Sequence, residues 1–315
     1  MLDTNITLTS VEQVEQELQS QGYVADRALA TSIYLSLVLE KPIFLEGEPG
    51  VGKTEVAKSI ARALDTRLIR LQCYEGLDTN HALYEWDYLR QMLEIRLQEA
   101  RGKDQEHIGE DIFSEKFLHH RPLLQAIQDD GENPPVLLID EVDRSDEEFE
   151  AFLLEVLSDF QITIPEIGPI KAKRRPIVVL TSNRTRELHN ALKRRCLYHW
   201  IDYPTPDKEM RIVLNKVAGI DERLSAQICG FMAQMREQDF YKPPGVAETI
   251  DWAHALLTLG IAELDEQCVD ATLGCILKYK GDQEKLREEN LRKMVAISKN
   301  FKGSALSGKD FAFPS

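Results

Sequence analysis

The sequence predicts an α/β fold: a parallel sheet sandwiched by helices, followed by a smaller all-helical region. Three observations lead there. Short apolar runs alternate with stretches of helical periodicity over the first 205 residues, the order a parallel sheet requires. The run "GEPGVGKT" (47–54) fits GxxxxGK[ST] in full and lies between the first such strand and the next helix. Beyond Pro204 to Pro206 the strand signal disappears, and helical periodicity continues to about residue 300.

The elements follow in order. "TLTSVEQVEQEL" (7–18) reads as a helix capped by Ser10, with Val11, Val14 and Leu18 at helical spacing. "DRALATSIYLSLVLEK" (26–41) reads as a second, more buried helix. "PIFLEG" (42–47) is a short strand ending in glycine. "EVAKSIARAL" (55–64) is a helix with Val56, Ile60, Ala61 and Leu64 on one face, and "RLIRLQ" (67–72) is another strand. The longer, more polar stretch 74–133 resembles an insertion between core elements, helical in "YLRQMLEIRLQEAR" and "RPLLQAIQ". "PPVLLIDEVD" (134–143) has the continuous apolar run of a strand buried on both faces. In the helix after it, Ser145 and Glu148 fit a capping box. "QITIPEIGPIKAKRR" (161–175) alternates and predicts a hairpin turning at Gly168-Pro169. "PIVVLTSN" (176–183) is a further buried strand. The expected division is an α/β domain over 1–205, a helical domain over 206–301, and a mobile tail over 302–315.

Composition narrows the function. The 315 residues are 43% hydrophobic and 29% charged, enough to bury a core in about two domains. The net charge of −15 argues against a chain whose main task is gripping a nucleic-acid backbone, which needs dense Lys and Arg. The five cysteines (Cys73, Cys196, Cys229, Cys268, Cys275) form no CxxC and read as reduced thiols of a cytoplasmic protein. His119 and His120 are adjacent, so on a helix they would point apart and could not share a metal. The start "MLDTNITL" does not read as a signal peptide, and no apolar run is long enough to predict a membrane span.

The chemistry concentrates at strand ends. Gly47, Gly50 and Gly52 let the loop turn its N–H groups toward phosphate oxygens, and the following helix adds its positive end. The expected nucleotide-binding segment is Gly47, Glu48, Pro49, Gly50, Val51, Gly52, Lys53, Thr54 and Glu55. Lys53 is expected to reach the β- and γ-phosphates of ATP, and Thr54 to hold Mg²⁺. Asp140 and Glu141 end a buried strand, where carboxylates need positive or polar compensation. Asp140 is the expected metal-supporting group, and Glu141 the group that orients and polarises the attacking water. Asn183 closes the next strand, and its amide suits placing a water against the γ-phosphate.

The order GEPGVGKT, LLIDE, TSN and then "ALKRR" before an apolar segment and Pro resembles an AAA+ ATPase. The insertion at 74–133 and the hairpin at 161–175 are similar to the additions of the MoxR type. "RLQCYEGLDTNHALYEW" and "LTSNRTRELHNALKRRC" look most like the branch associated with carbon monoxide dehydrogenase maturation. The resemblance implies a P-loop NTPase fold with a helical lid. It also implies a homo-oligomeric ring, expected to have six subunits, that remodels a client protein such as a metalloenzyme. A partner carrying a von Willebrand factor A domain is implied likewise. It makes Arg195 the arginine finger that enters a neighbouring subunit's site, with Arg194 able to swap roles. Tyr23 and Val24 become neighbours of the adenine.

One departure stands out. The stretch matching the sensor-2 helix, "PPGVAETIDWAHAL" (243–256), has no arginine; Thr249 takes the place, after Glu248, and Lys242 is another candidate cation. Two other readings are a nucleic-acid-remodelling ATPase using "KAKRR" (171–175) as its basic track, and a non-catalytic ATP-binding switch.

Overall fold

The structure is a computed structural model describing residues 8–77, 82–100, 112–289 and 291–301. The predicted tail over 302–315 lies outside the described residues, as do 78–81 and 101–111 within the insertion.

Five strands form the central parallel sheet: β1 (Ile43–Gly47), β2 (Leu68–Gln72), β5 (Val136–Asp140), β8 (Ile177–Ser182) and β9 (Leu197–Ile201), in the order β2-β5-β8-β1-β9. Every residue of β1 and β5 is buried, the consequence of apolar runs covered on both faces. The register pairs Ile139 with Leu180 and Leu45 with Thr181. The carboxyl ends of β1, β5 and β8 therefore meet one edge of the sheet.

The described residues form two compact units. One comprises those within 8–14, 27–46 and 60–199, and the other those within 15–26, 47–59 and 200–301.

The first unit holds most of the sheet and its helices. Helix α1 (Val11–Ser20) begins as predicted, with Ser10 Oγ accepting from the Gln13 amide at 3.2 Å. Helix α2 (Arg27–Leu39) follows, and α3 (Lys53–Ala63) leaves the glycine loop; residues 15–20 of α1 and 53–59 of α3 fall in the second unit. The insertion contributes α4 (Tyr88–Ala100) and α5 (Pro122–Ile127). It also carries an antiparallel pair that periodicity did not reveal, β3 (Tyr84–Trp86) with β4 (Leu118–His120). His119 and His120 thus sit on a strand, not a helix, and alternation still sends them to opposite faces. Helix α4 is inverted: Gln91 and Gln98 are buried, while Leu89, Met92, Leu93 and Leu97 are exposed.

Helix α6 (Glu147–Asp159) corrects the predicted capping box. Asp146 is its cap, with Oδ1 accepting from the Phe149 amide at 2.8 Å. The Ser145 hydroxyl instead donates to the Val142 carbonyl at 2.8 Å, closing the tight turn after β5. The hairpin exists as β6 (Gln161–Ile164) and β7 (Gly168–Lys171). Its turn occupies residues 165–167, and Gly168-Pro169 already belongs to the second strand. Two cations of "KAKRR" are tied down here: Arg174 donates to the Gly131 and Glu132 carbonyls, and Arg175 stacks on Phe160 and pairs with Glu40.

The second unit is helical beyond β9: α8 (Pro206–Lys216), α9 (Glu222–Arg236), α10 (Val246–Thr258), α11 (Glu266–Ile276), α12 (Lys280–Glu289) and α13 (Leu291–Asn300). Its core centres on Trp252, which is fully buried, lies 5.4 Å from the Phe231 ring, and donates from Nε1 to Thr272 at 2.8 Å. Helix α7 (Asn190–Arg195), between β8 and β9, belongs to the first unit. Among the described residues no helix is long and apolar enough to cross a membrane.

Candidate functional site

Within the first unit, the ends of β5 and β8 bring Asp140, Glu141 and Asn183 together. Asn183 Nδ2 donates to Glu141 Oε1 at 3.2 Å, and Gln72 Nε2 donates to Oε2 at 3.1 Å. Arg144 Nη1 also reaches Oε2 at 3.3 Å. The Glu141 side chain is 32% exposed, so water reaches it; that of Asp140 is 3% exposed. Glu141 has φ 55°, a left-handed conformation that costs about 1 kcal/mol or more for a residue with a side chain. Its amide is held in return by Thr181 Oγ1 at 2.9 Å, and the same hydroxyl donates to Asp140 Oδ1. Asp140 Oδ2 accepts from Arg70 Nε at 2.9 Å and Nη2 at 2.6 Å.

Asp143, two residues after Glu141, is 2% exposed and anchors the loop that carries Asn183. It accepts from the Asn183 amide at 3.2 Å, the Thr185 amide at 2.8 Å and the Thr185 hydroxyl at 2.7 Å.

Arg194 and Arg195 end α7 and are exposed. Cations at a helix carboxyl end are favoured by its dipole, which explains a basic turn there. Neither makes an ion pair among the described residues. The helix is started by His189, whose Nδ1 accepts from the Ala191 amide at 3.2 Å. Cys196 follows the pair, and burial pushes its thiol up to about 12.

The second unit contains the glycine loop with Tyr23 and Val24. Gly47 is demanded by close approach, since a Cβ there would stand 2.3 Å from the Ile201 carbonyl oxygen. Gly50 has φ 79°, open to glycine at little cost. Lys53 is buried, its ammonium donating to the Gly47 and Glu48 carbonyls at 2.8 Å each. Phosphate oxygens can replace those acceptors with a stronger, charge-assisted pair.

Beside this loop lies a cavity of about 310 Å³, lined by Gly50, Val51, Gly52 and Glu55 together with Tyr23, Val24, Ile212 and Ile250. An apolar slot with a few polar groups is the expected form of a small-molecule site. Burial, with Asp26 and Glu55 nearby, pushes the Tyr23 phenol well above its ordinary range, so it stays neutral. Two cations that the sequence reading missed also line the cavity. Lys208 pairs with Asp26 at 2.9 Å and Lys216 with Glu55 at 3.2 Å; with Ile212 they share one face of α8.

Helix α10 starts against the same loop. The Val246 and Ala247 amides donate to the Gly50 carbonyl at 3.1 and 3.2 Å, and Glu248 caps the Gly245 amide at 2.9 Å. Thr249, the residue expected in the sensor-2 place, is fully buried and turned into the helical core. Its hydroxyl donates to Glu209 Oε1 at 2.6 Å, within a network where Arg236 pairs with both Glu209 oxygens at 2.6 and 2.7 Å. Lys242 does not line the cavity; its amide donates to Asp282.

Residues 43–201, half of the chain, match the ATPase family associated with various cellular activities (AAA). The chain belongs to the AAA ATPase family. The glycine loop and the carboxylate pair at the end of β5 both fall within the matched span. Nucleotide binding and ATP hydrolysis are that family's activity. Lon protease 3 of Sorangium cellulosum is 34% identical over 119 residues, 36% of this chain and 11% of that protein. The Lon protease of Heliobacterium modesticaldum is 28% identical over 207 residues, 61% of this chain and 21% of that one. The AAA chain thus spans about a fifth or less of the length of these curated relatives. A crystal structure of a protein assigned as an ATPase from Cytophaga hutchinsonii aligns at 15% identity and a TM-score of 0.48, covering 90% of this chain and 86% of that one.

Asp140 in the first unit and Thr54 in the second each carry a hard oxygen of the kind Mg²⁺ takes, and Mg²⁺ typically accepts one or two protein ligands while keeping waters and phosphate oxygens. Among the described residues no group of three or more His, Cys, Asp or Glu is arranged to hold a metal ion.

Proposed function

We propose that this AAA ATPase is a MoxR-type remodelling machine, of the branch associated with carbon monoxide dehydrogenase maturation. ATP hydrolysis in a cytoplasmic ring of six subunits acts on a client protein, a metalloenzyme in the first instance. A partner with a von Willebrand factor A domain belongs to the same reading. The functional division follows residues 1–205 as the nucleotide-binding domain and 206–301 as the lid.

The observation that carries the hydrolytic part of the reading is the Glu141 carboxylate, held between the amides of Asn183 and Gln72 at a water-accessible strand end. In the proposed reaction Glu141 orients a water and draws on its proton as the water oxygen attacks the γ-phosphorus and ADP departs. Asn183 fixes that water's approach. Lys53 leaves the loop carbonyls to hold the β- and γ-phosphates, with the loop amides around Gly50 and Gly52. Thr54 and Asp140 would hold Mg²⁺, which supplies neutralising charge between the phosphates. Tyr23 and Val24 border the adenine. Arg195, with Arg194 beside it, serves the neighbour's site, where such a finger contributes on the order of 10³ to 10⁵ in rate.

The test is the solution mass of Glu141→Gln with and without Mg²⁺–ATP, repeated with Arg195→Ala added. A discrete large oligomer that needs both ATP and Arg195 is expected. A monomer under every condition removes the shared-site reading.

A further inference from the structure

We propose that Arg70 is a stand-in for the divalent cation at Asp140: it neutralises this carboxylate in the metal-free protein and is displaced when the metal binds. The inference rests on the reading of Asp140 as the metal-supporting carboxylate.

Strand β2 alternates, so Arg70 and Gln72 project from the same face. The register places Gln72 directly beside Asp140 and Arg70 beside Leu138, two residues back. From there the guanidinium sends both Nε and Nη2 to one oxygen, Asp140 Oδ2, at 2.9 and 2.6 Å. The two partners differ sharply in freedom. The Asp140 side chain is 3% exposed and fixed at the end of a central strand, whereas that of Arg70 is 49% exposed. A buried carboxylate must keep a positive partner, but that partner need not always be the same one. An arginine at the rim can swing into water at little cost, since its charge is then hydrated.

The two cations exclude each other. A guanidinium in contact with Oδ2 occupies the space and the lone pairs that a metal or its bound water needs. Two positive charges on one carboxylate also repel. Arg70 Nη2 bonds Gln72 Oε1 as well, and Gln72 Nε2 bonds Glu141 Oε2. Departure of Arg70 therefore loosens the amide that holds Glu141, so metal arrival reaches the water-orienting carboxylate through this chain's own side chains.

The experiment measures Mn²⁺ binding to the ADP-saturated full chain, reading free Mn²⁺ by electron paramagnetic resonance. The native protein is compared with Arg70→Met, Arg70→Lys and Asp140→Asn. Without the competing charge, Arg70→Met should bind Mn²⁺ about tenfold tighter or more, the scale of one lost charge-assisted pair. Arg70→Lys, which keeps a charge but not the fork, should fall between. The melting temperature of Arg70→Met should drop in EDTA and recover with Mn²⁺ by more than the native protein gains. If Arg70→Met binds Mn²⁺ no tighter than native while Asp140→Asn weakens binding, the stand-in role is overturned and the metal reading of Asp140 survives. If Asp140→Asn leaves Mn²⁺ affinity intact, the metal reading itself fails. Should Arg70→Met not fold, Arg70→Lys decides: tighter than native supports the proposal, and equal or weaker overturns it.

Discussion

Replacing Arg236 by Met should destabilise the helical unit more than any nearby surface change. Arg236 is 8% exposed and Glu209 fully buried, and two hydrogen bonds of 2.6 and 2.7 Å join them. The guanidinium also donates to the Pro244 carbonyl at 2.9 Å and lies 4.8 Å from the Tyr203 ring centre. Methionine roughly matches the stem but leaves Glu209 with the Thr249 hydroxyl and no cation. Breaking a buried pair in this way costs about 3–5 kcal/mol. With a urea dependence of about 2–3 kcal/mol per M, the midpoint should fall by about 1–2.5 M. The double variant Arg236→Met with Glu209→Leu removes the stranded charge and should recover much of the loss, a coupling of about 2 kcal/mol. Urea unfolding followed by tryptophan fluorescence reads both, since Trp252 lies in the same core. A shift below about 0.3 M in the single variant, or a double variant as unstable as the single, would refute the reasoning. Because Arg236 holds the Pro244 carbonyl just before α10, the single variant should also weaken nucleotide binding through the contact of α10 with Gly50.

Further consequences follow from the site. Asn183→Ala removes the amide on Glu141 and should lower kcat about 10²-fold with KM nearly unchanged, as loss of one oriented donor does; phosphate-release kinetics read it, and an unchanged kcat removes Asn183 from the reaction. Asp143→Asn replaces an acceptor of Thr185 by a donor, costing about 1–3 kcal/mol in the loop that bears Asn183. Thermal melting and kcat should fall together, and an unaffected kcat would separate the two residues. Burial pushes the Cys73 thiol from 9.0 up to about 12. A raised value in the folded state means its contribution is fully present below about pH 9 and lost as pH rises toward 12. Native Cys73 should therefore resist thiol reagents at pH 8 and react only on unfolding; rapid labelling of the native chain at that pH contradicts the burial.

The parts of this fold legible in the sequence were those written in local pattern. The runs 136–140 and 177–182 announce doubly covered strands, and Gly47 to Thr54 announce a phosphate loop, because neither depends on a distant partner. The cap of α6 lies one residue beyond the expected Ser145, because Ser145 and Asp146 are both good caps and only the turn at Val142–Arg144 decides between them. Arg70 and Gln72 read as ordinary polar positions of an alternating strand. Their role appears only when β2 is laid in register with β5, some 70 residues later. Thr249 was legible as a missing arginine but not as a core residue, since Glu209 and Arg236 come to it from two other helices. On α4 hydropathy could not show orientation, and the structure turns its glutamines inward.

Strand order also governs how the chain must be made. Strand β1 lies in the sheet between β8 and β9, yet Ile177 follows Gly47 by 130 residues. At a synthesis rate of about 5–20 residues per second, β1 leaves the ribosome about 7–25 seconds before either neighbour exists. Its last acid, Glu46, is buried and accepts from the Ser182 hydroxyl at 3.4 Å and the Tyr198 hydroxyl at 2.9 Å, one on each late strand. A nascent chain stopped short of residue 177 therefore holds an apolar strand with both edges unpaired and Glu46 without either of its hydroxyl donors. Such intermediates are candidates for chaperone capture during translation, and rare codons ahead of β8 should lower the yield of active protein by lengthening that interval.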